Sequence, residues 1–209
     1  MKKEDEDKTL NNYKTLKSSG RAQREFKKSI FIGYAKQVTN ETEAKAFVKE
    51  IKELHEDANH NVSAYFVKEG SSFALRYDDD GEPAGSSGKP VFKVLESKGI
   101  YNAAVVVTRY FGGIKLGFGG LSRAYRETAI SAIEEAGTVE VFEEVRFRIC
   151  FGYPEIQKIK NLIEEHGKVE EEKYSDAVEF IFLVKKSFEE NFIEKLANLT
   201  RNKVELEKI

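Results

Sequence analysis

Hydrophobic and polar positions follow two different rhythms along this chain, one before about residue 137 and another after it. The first part is organised around Tyr101–Arg126, YNAAVVVTRYFGGIKLGFGGLSRAYR. The apolar β-branched run Ala103–Val107 predicts a strand that ends in Thr108-Arg109-Tyr110-Phe111. Two glycine pairs follow, Gly112-Gly113 and Gly119-Gly120. From Leu121, the residues Ala124, Tyr125, Thr128, Ala132 and Ala136 recur at helical spacing, which predicts an amphipathic helix closed by Gly137, with Arg123 and Arg126 on its exposed side. Strand, glycine loop and helix thus follow one another.

Upstream, Leu10–Lys17 and Glu25–Val38 read as a strand pair joined through Ser18-Ser19-Gly20. Asn40 with Glu43 three residues on predicts a helix start, and Phe47, Val48, Ile51 and Leu54 form one apolar stripe along that helix. Val62–Lys68 and Ser72–Tyr77 read as a hairpin across Glu69-Gly70-Ser71. The segment Asp78–Gly88 is too rich in glycine and serine for regular structure. Pro90 fits the first turn of a short helix that Gly99 would close. Residues before about Leu10 form a solvated charge run and are expected to be disordered.

After residue 137 the order is strand Glu144–Phe151, helix Pro154–His166, strands Val169–Ser175 and Val178–Lys185, helix Phe188–Leu199 and strand Lys203–Glu207. This βαββαβ order is the ferredoxin-like pattern. The reading is therefore an α+β protein: a tail over 1–9, an N-terminal α/β domain over 10–137 and a C-terminal ferredoxin-like domain over 138–209. Thr138–Phe142 serves as a short linker without glycine or proline.

Composition narrows the function classes. With 209 residues and 40% hydrophobic positions the chain can bury ordinary cores, and nothing approaches the roughly 18–20 consecutive apolar residues a membrane span needs. A cytoplasmic location and no membrane partner are expected. One cysteine excludes an internal disulfide framework, and three histidines leave few soft ligands for zinc. Lys+Arg at 34 against Asp+Glu at 36 gives a net charge of −2, so any phosphate binding rests on a local patch.

Such a patch is offered by Arg109, Lys115, Arg123 and Arg126, interleaved with Tyr110, Phe111, Phe118 and Tyr125. These supply cations for phosphates and rings on which bases stack. A helix entered from a glycine loop leaves backbone N–H groups free to meet an anion, and its first turn here carries Arg123 where the dipole would favour an acid. The same residues also fit a structural role, with glycines for tight turns and aromatics in the core. Neither nucleotide-loop fingerprint is met: no four-residue spacer ends in Gly-Lys-Ser/Thr, and the third glycine of a dinucleotide loop would fall on Ser122.

Asp78–Glu82 suggests a hard cation, yet an EF-hand glycine belongs at the sixth position and Gly81 is fourth, while the twelfth is Lys89. A looser Mg²⁺ site, a pairing of these carboxylates with Arg109 or Lys115, and a helix-capping acidic turn remain. His55 and His60 stand five apart, about 140° round a helix, so they cannot chelate zinc from one face. Cys150 shares a strand face with Arg146 and Arg148 and has no base beside it, and Ser86, Ser87 and Ser122 lack a Gly-x-Ser-x-Gly context.

Two strings make the chain resemble a known family. Asp79-Asp80-Gly81-Glu82-Pro83-Ala84-Gly85 with Gly88-Lys89-Pro90, and Val105–Gly117 with Gly119-Gly120-Leu121 and Ala124-Tyr125, are similar to the motifs of the YigZ/IMPACT family. Lys28-Ser29, Phe31-Ile32, His55, Asp57-Ala58, His60 and Ala64-Tyr65 add to it, and the resemblance covers about Lys28–Gly137. It implies a first domain similar to the second domain of a small-subunit ribosomal protein. For the tail it implies a domain similar to the C-terminal domain of elongation factor G. It also implies a link to translation, since eukaryotic relatives restrain an initiation-factor kinase by competing for its ribosome-associated activator. The chain departs from the pattern at Ile30, where arginine is usual, and at Asn61-Val62, where histidine and cysteine sometimes stand.

The expectation is a non-enzymatic binding protein of the translation-regulator type, engaging RNA or a ribosome-associated protein, with no cofactor. Its surface comprises Arg109, Tyr110, Phe111, Gly112, Gly113, Lys115, Gly117, Gly119, Gly120 and Arg123, with a second loop of Asp79, Asp80, Gly81, Glu82, Gly85, Gly88 and Lys89. The rivals are an enzyme using Mg²⁺ held by Asp79, Asp80 and Glu82 on a phosphorylated substrate, and a protein-interaction module built on the tail.

Overall fold

The computed structural model describes residues 12–70 and 72–209, so the tail expected over 1–9 lies outside the described residues. Tyr13–Val141 form one compact unit and Phe142–Ile209 belong to another.

In the first unit, β2 (Gly20–Phe26), β3 (Ser29–Gln37), β4 (His60–Glu69), β5 (Ser72–Asp78) and β6 (Ala103–Tyr110) form one sheet in the order β2-β3-β6-β4-β5. Every neighbouring pair is antiparallel. Helices α2 (Gly88–Lys98) and α3 (Gly117–Ala136) cover one face, and α1 (Glu41–Leu54) covers the other. This explains why β6 has no polar alternation: Ala103, Val105 and Val107 point to α2 and α3, while Ala104 and Val106 point to α1, and all five are buried. The stripe expected on α3 is buried from Leu121 through Ala136, and Tyr125 packs edge-on against Phe31 with centroids 5.1 Å apart. Burying each large side chain there contributes on the order of 1.5–3 kcal/mol. Asn40 caps α1 by accepting from the Glu43 amide at 2.8 Å. Leu54 departs from the expected stripe, being 64% exposed.

The predicted strand pair is corrected. Glu25–Val38 is not one strand but the end of β2, a two-residue turn at Lys27-Lys28, and β3. Both turn residues have positive φ, 47° and 65°, which is the hairpin geometry that matches strand twist but usually recruits Asn-Gly. Lysines give no such signal. β1 (Asn12–Leu16) pairs not with its sequence neighbour but with β7 (Thr138–Phe142), so the segment expected as a linker is a strand.

In the second unit, β8 (Glu144–Phe151), β9 (Gly167–Tyr174), β10 (Val178–Lys185) and β11 (Leu206–Lys208) lie in the order β11-β8-β10-β9. With α4 (Ile156–His166) and α5 (Glu189–Thr200) this is the βαββαβ arrangement. Val145, Phe147, Ile149 and Phe151 alternate into a core with Phe180, Phe182 and Phe192. The opposite side of β8 carries Arg146, Arg148 and the exposed Cys150, and its arginines pair with Glu170 and Glu207.

Candidate functional site

The acidic-glycine segment is a fixed structure without helix or strand. Asp79 accepts from the backbone N–H groups of Gly85 at 2.7 Å, Ser87 at 3.1 Å and Gly88 at 2.8 Å, and from the Ser87 hydroxyl at 2.6 Å. Burial raises its pKa, but the Ser87 hydroxyl and the three N–H groups outweigh that and hold the carboxyl below its ordinary value. Its carboxylate thus caps α2 from outside the helix. Asp80 accepts from the Asn61 N–H at 2.6 Å and pairs with Lys52 Nζ at 2.6 Å. Glu82 is buried elsewhere. The three carboxylates considered for Mg²⁺ therefore turn to different partners, and among the described residues no three His, Cys, Asp or Glu side chains gather as a cation site. Gly81 sits against the His60 ring, and Lys89 is exposed in the first turn of α2.

The end of β6 supplies two side chains to opposite faces. Arg109, following the parity of Val105 and Val107, turns to the α2–α3 side. Its Nη1 lies 2.7 Å from Glu82 Oε1, and the two side chains are 7% and 3% exposed. The Tyr125 hydroxyl donates to the same oxygen at 2.8 Å, and burial together with that carboxylate raises the phenol pKa. The guanidinium lies 5.5 Å from the Phe31 ring centroid and 5.3 Å from that of Phe111. Arg109 is thus not the free cation that the sequence suggested. His60 Nδ1 is 2.8 Å from the Asp80 carbonyl; a carbonyl only accepts, so Nδ1 carries the proton and Nε2 faces Glu82 Oε1 at 3.9 Å.

Tyr110 turns to the α1 side, away from any stacking platform. It ends a relay whose directions follow from one another. Its hydroxyl donates to Asp57 Oδ1 at 2.9 Å, so its oxygen accepts from His55 Nδ1 at 2.9 Å. His55 Nε2 then accepts from the Tyr34 hydroxyl at 2.7 Å, whose oxygen accepts from Arg21 Nε at 3.3 Å. His55 is neutral in this chain of bonds, and burial is the main cause that lowers its pKa, ahead of Arg21, with Asp57 opposing.

Beyond β6 the chain turns over the β2–β3 hairpin. Phe111 N–H donates to Asn59 Oδ1 at 2.7 Å and Gly112 N–H to Ser29 Oγ at 3.1 Å. Helix α3 begins at Gly117, four residues before the predicted Leu121, so Gly119 and Gly120 belong to its first turn. That turn has no side-chain cap and no acid. Arg123 is exposed and pairs with Glu127 at 2.7 Å along the helix, which raises its pKa.

A cleft of about 430 Å³ opens between these parts. Of the residues expected to form the binding surface and its second loop, Glu82, Arg109, Phe111, Lys115 and Gly117 line it, together with Asn59, His60, Pro83, Leu116, Phe118 and Leu121. Asp79, Asp80, Tyr110 and Arg123 do not. Phe111 is 45% exposed and Phe118 60% exposed. The parity of β6 was the available signal that Arg109 points inward; nothing in the spacing reveals that Asn59, just ahead of β4, arrives beside it.

Known proteins share this organisation. Residues 27–133 match the Impact N-terminal domain, and residues 149–203 match a domain of unknown function, DUF1949. The IMPACT family member YvyE of Bacillus subtilis is 37% identical over 198 residues, covering 94% of this chain and 91% of that protein. The IMPACT family member YigZ of Escherichia coli is 32% identical over 184 residues, covering 87% and 90%. A crystal structure of a hypothetical protein, 30% identical, superposes with a TM-score of 0.62 over 95% of this chain and 98% of that one. With its motifs, both matched domains and relatives aligned along most of its length, the chain belongs to the IMPACT family.

Proposed function

We propose that this chain is a non-enzymatic binding protein of translational control, and that its first unit engages RNA at the glycine-loop end of β6 and α3. The observation that carries this reading is the first turn of α3. Its N–H groups lack a side-chain cap, the turn itself carries no acid, and Lys115 and the exposed Phe118 flank it. The exposed turn Lys27-Lys28 adds two cations, since its backbone packs directly against Gly112. Family membership and the resemblance to eukaryotic proteins that compete for the ribosome-associated activator of an initiation-factor kinase support the translational context. The cations assigned to phosphate are Lys27, Lys28 and Lys115; Arg109 supports the floor from beneath. Among the described residues no helix is long and apolar enough to cross a membrane, which is compatible with this reading.

The test is binding of a fluorescein-labelled single-stranded RNA at two salt concentrations, for the wild type, Lys115→Ala and Lys27→Ala/Lys28→Ala. Affinity should fall with salt, and each lost phosphate contact should shallow the log–log slope by about 0.7–1. Binding indifferent to salt and to all three substitutions defeats the proposal, and a ribosome-associated protein partner, captured after nuclease treatment, then takes its place.

A further inference from the structure

We infer that the cleft between the Gly81–Pro83 turn and the start of α3 is a site for one nucleoside monophosphate unit, a planar base carrying a phosphate. The inference deepens the RNA reading, on which it rests for its ligand class, by naming the piece of nucleic acid that is held. Its volume of about 430 Å³ lies within the 300–1,000 Å³ of small-molecule sites, and its lining is largely apolar with a few polar groups.

Three observations specify the ligand. First, the floor holds a guanidinium that is 7% exposed and whose Nε has no hydrogen-bond partner, although Nη1 is taken by Glu82. A buried donor left unpaired is uncommon; Nε has almost no accessible surface, so in this inference an acceptor in the cleft satisfies it as the guanidinium shifts towards the ligand. Second, Phe118 is 60% exposed on the cleft lining and makes no ring contact among the described residues. An exposed ring of this kind is a stacking platform for a base. Third, Gly119 has no structural reason to be glycine. A Cβ there meets nothing within 4 Å and its φ lies outside the left-handed region, whereas Gly113 and Gly117 have φ of 86° and 72° and Gly112 is jammed against Lys28. A helical glycine in open space weakens its helix relative to alanine. Gly119 is not itself on the cleft lining, but without a Cβ it leaves the first-turn N–H groups uncovered, and in this inference a phosphate seats there beside Lys115.

Free nucleotides and unpaired RNA residues present the same chemistry. The experiment therefore uses adenosine 5′-monophosphate, adenosine, inorganic phosphate and labelled hexa-adenylate RNA on the full chain, with Phe118→Ala and Gly119→Ala as variants. Amide resonances of residues 117–120 report local binding. The expected result is that the monophosphate shifts those amides and binds at least tenfold tighter than adenosine or phosphate. Phe118→Ala should weaken it about tenfold. Gly119→Ala should weaken it while raising Tm, a combination that a merely structural glycine cannot give.

If the hexamer also binds, is displaced by the monophosphate and responds to both variants, RNA is the source. If the monophosphate binds and RNA does not, the cleft stands as a free-nucleotide site and the RNA reading fails. If RNA binds but no 117–120 amide shifts and neither variant matters, the cleft inference is overturned and the RNA surface survives. Inorganic phosphate binding as tightly as the monophosphate overturns the nucleotide class. No binding of any probe overturns both.

Discussion

Arg109 and Glu82 form a buried ion pair at 2.7 Å, joining the end of β6 to a loop 27 positions earlier in sequence, with Tyr125 of α3 bonded to the same carboxylate oxygen. Three segments of the first unit meet at one oxygen. Removing one member strands the opposite charge in a site with little water. Arg109→Ala should cost about 3–5 kcal/mol in denaturant unfolding. The double variant Glu82→Gln/Arg109→Met keeps an acceptor for Tyr125 and leaves no unpaired charge, so it should recover most of that loss. A double variant as unstable as the single one would show that the pair does not act as a unit. Loss of RNA binding in Arg109→Ala alone would accordingly report on folding before function.

The relay through His55 fixes a pH response. Its folded pKa lies below the ordinary 6.5, so the unfolded chain binds more protons between the two values and stability rises with pH across that window. The contribution is fully present above about 6.5 and is lost as pH falls through 6.5 towards the depressed value. Arg21 and Asp57 are the charged groups facing the ring, and the phenols of Tyr34 and Tyr110 hold its two nitrogens. Tm should therefore fall between pH 7 and pH 5, and His55→Gln should remove that segment of the fall. Nitrogen shifts of the ring should report a proton on Nδ1 at pH 7.5. A ring protonated on Nε2 would refute the bond directions derived above.

Asp79 predicts a second pH effect of the same sense at lower pH. Its depressed carboxyl contributes stability above its ordinary value of 3.8, lost as pH falls through the still lower folded value. Asp79→Ala removes the acceptor for Gly85, Ser87 and Gly88 and should cost about 2 kcal/mol, the upper end of measured helix caps. Urea unfolding at pH 7 and at pH 2 checks it: the penalty of the substitution should shrink at the lower pH.

How much of this was legible in the chain can be followed residue by residue. Strong local signals were readable: the unbroken apolar run of β6, the apolar stripe of α3, the alternation of β8 and the Asn40 cap. Tight turns made by unusual residues were not, since Lys27 and Lys28 adopt positive φ without glycine or asparagine to announce it. The start of α3 was misread because glycines at its first positions look like loop until packing supplies the helix. At the candidate site, the pattern singled out the end of β6 that borders the cleft, but Arg109 there is buried in an ion pair. Arg109 was assigned to phosphate although its pairing with a carboxylate of Asp78–Glu82 was one of the open readings; only the folded contact shows that the partner is Glu82 and that both are buried.

The glycines of this region separate by physical role, and a substitution series should expose the order. Gly112→Ala would place a Cβ 1.9 Å from the Lys28 carbonyl oxygen, a backbone atom of the β2–β3 turn that cannot swing aside. It should cost more than about 3 kcal/mol or prevent folding, in the manner of severe overpacking. Gly113→Ala meets no neighbour within 4 Å, so its cost is only that of an L residue at φ 86°, roughly 1–2 kcal/mol. Gly119→Ala meets neither obstacle and should be neutral or stabilising by up to about 1 kcal/mol. Denaturant midpoints of the three variants against wild type decide it. If Gly119→Ala were as damaging as Gly113→Ala, the fold itself would demand the residue, and the clearance over the first turn of α3 would no longer need a ligand to explain it.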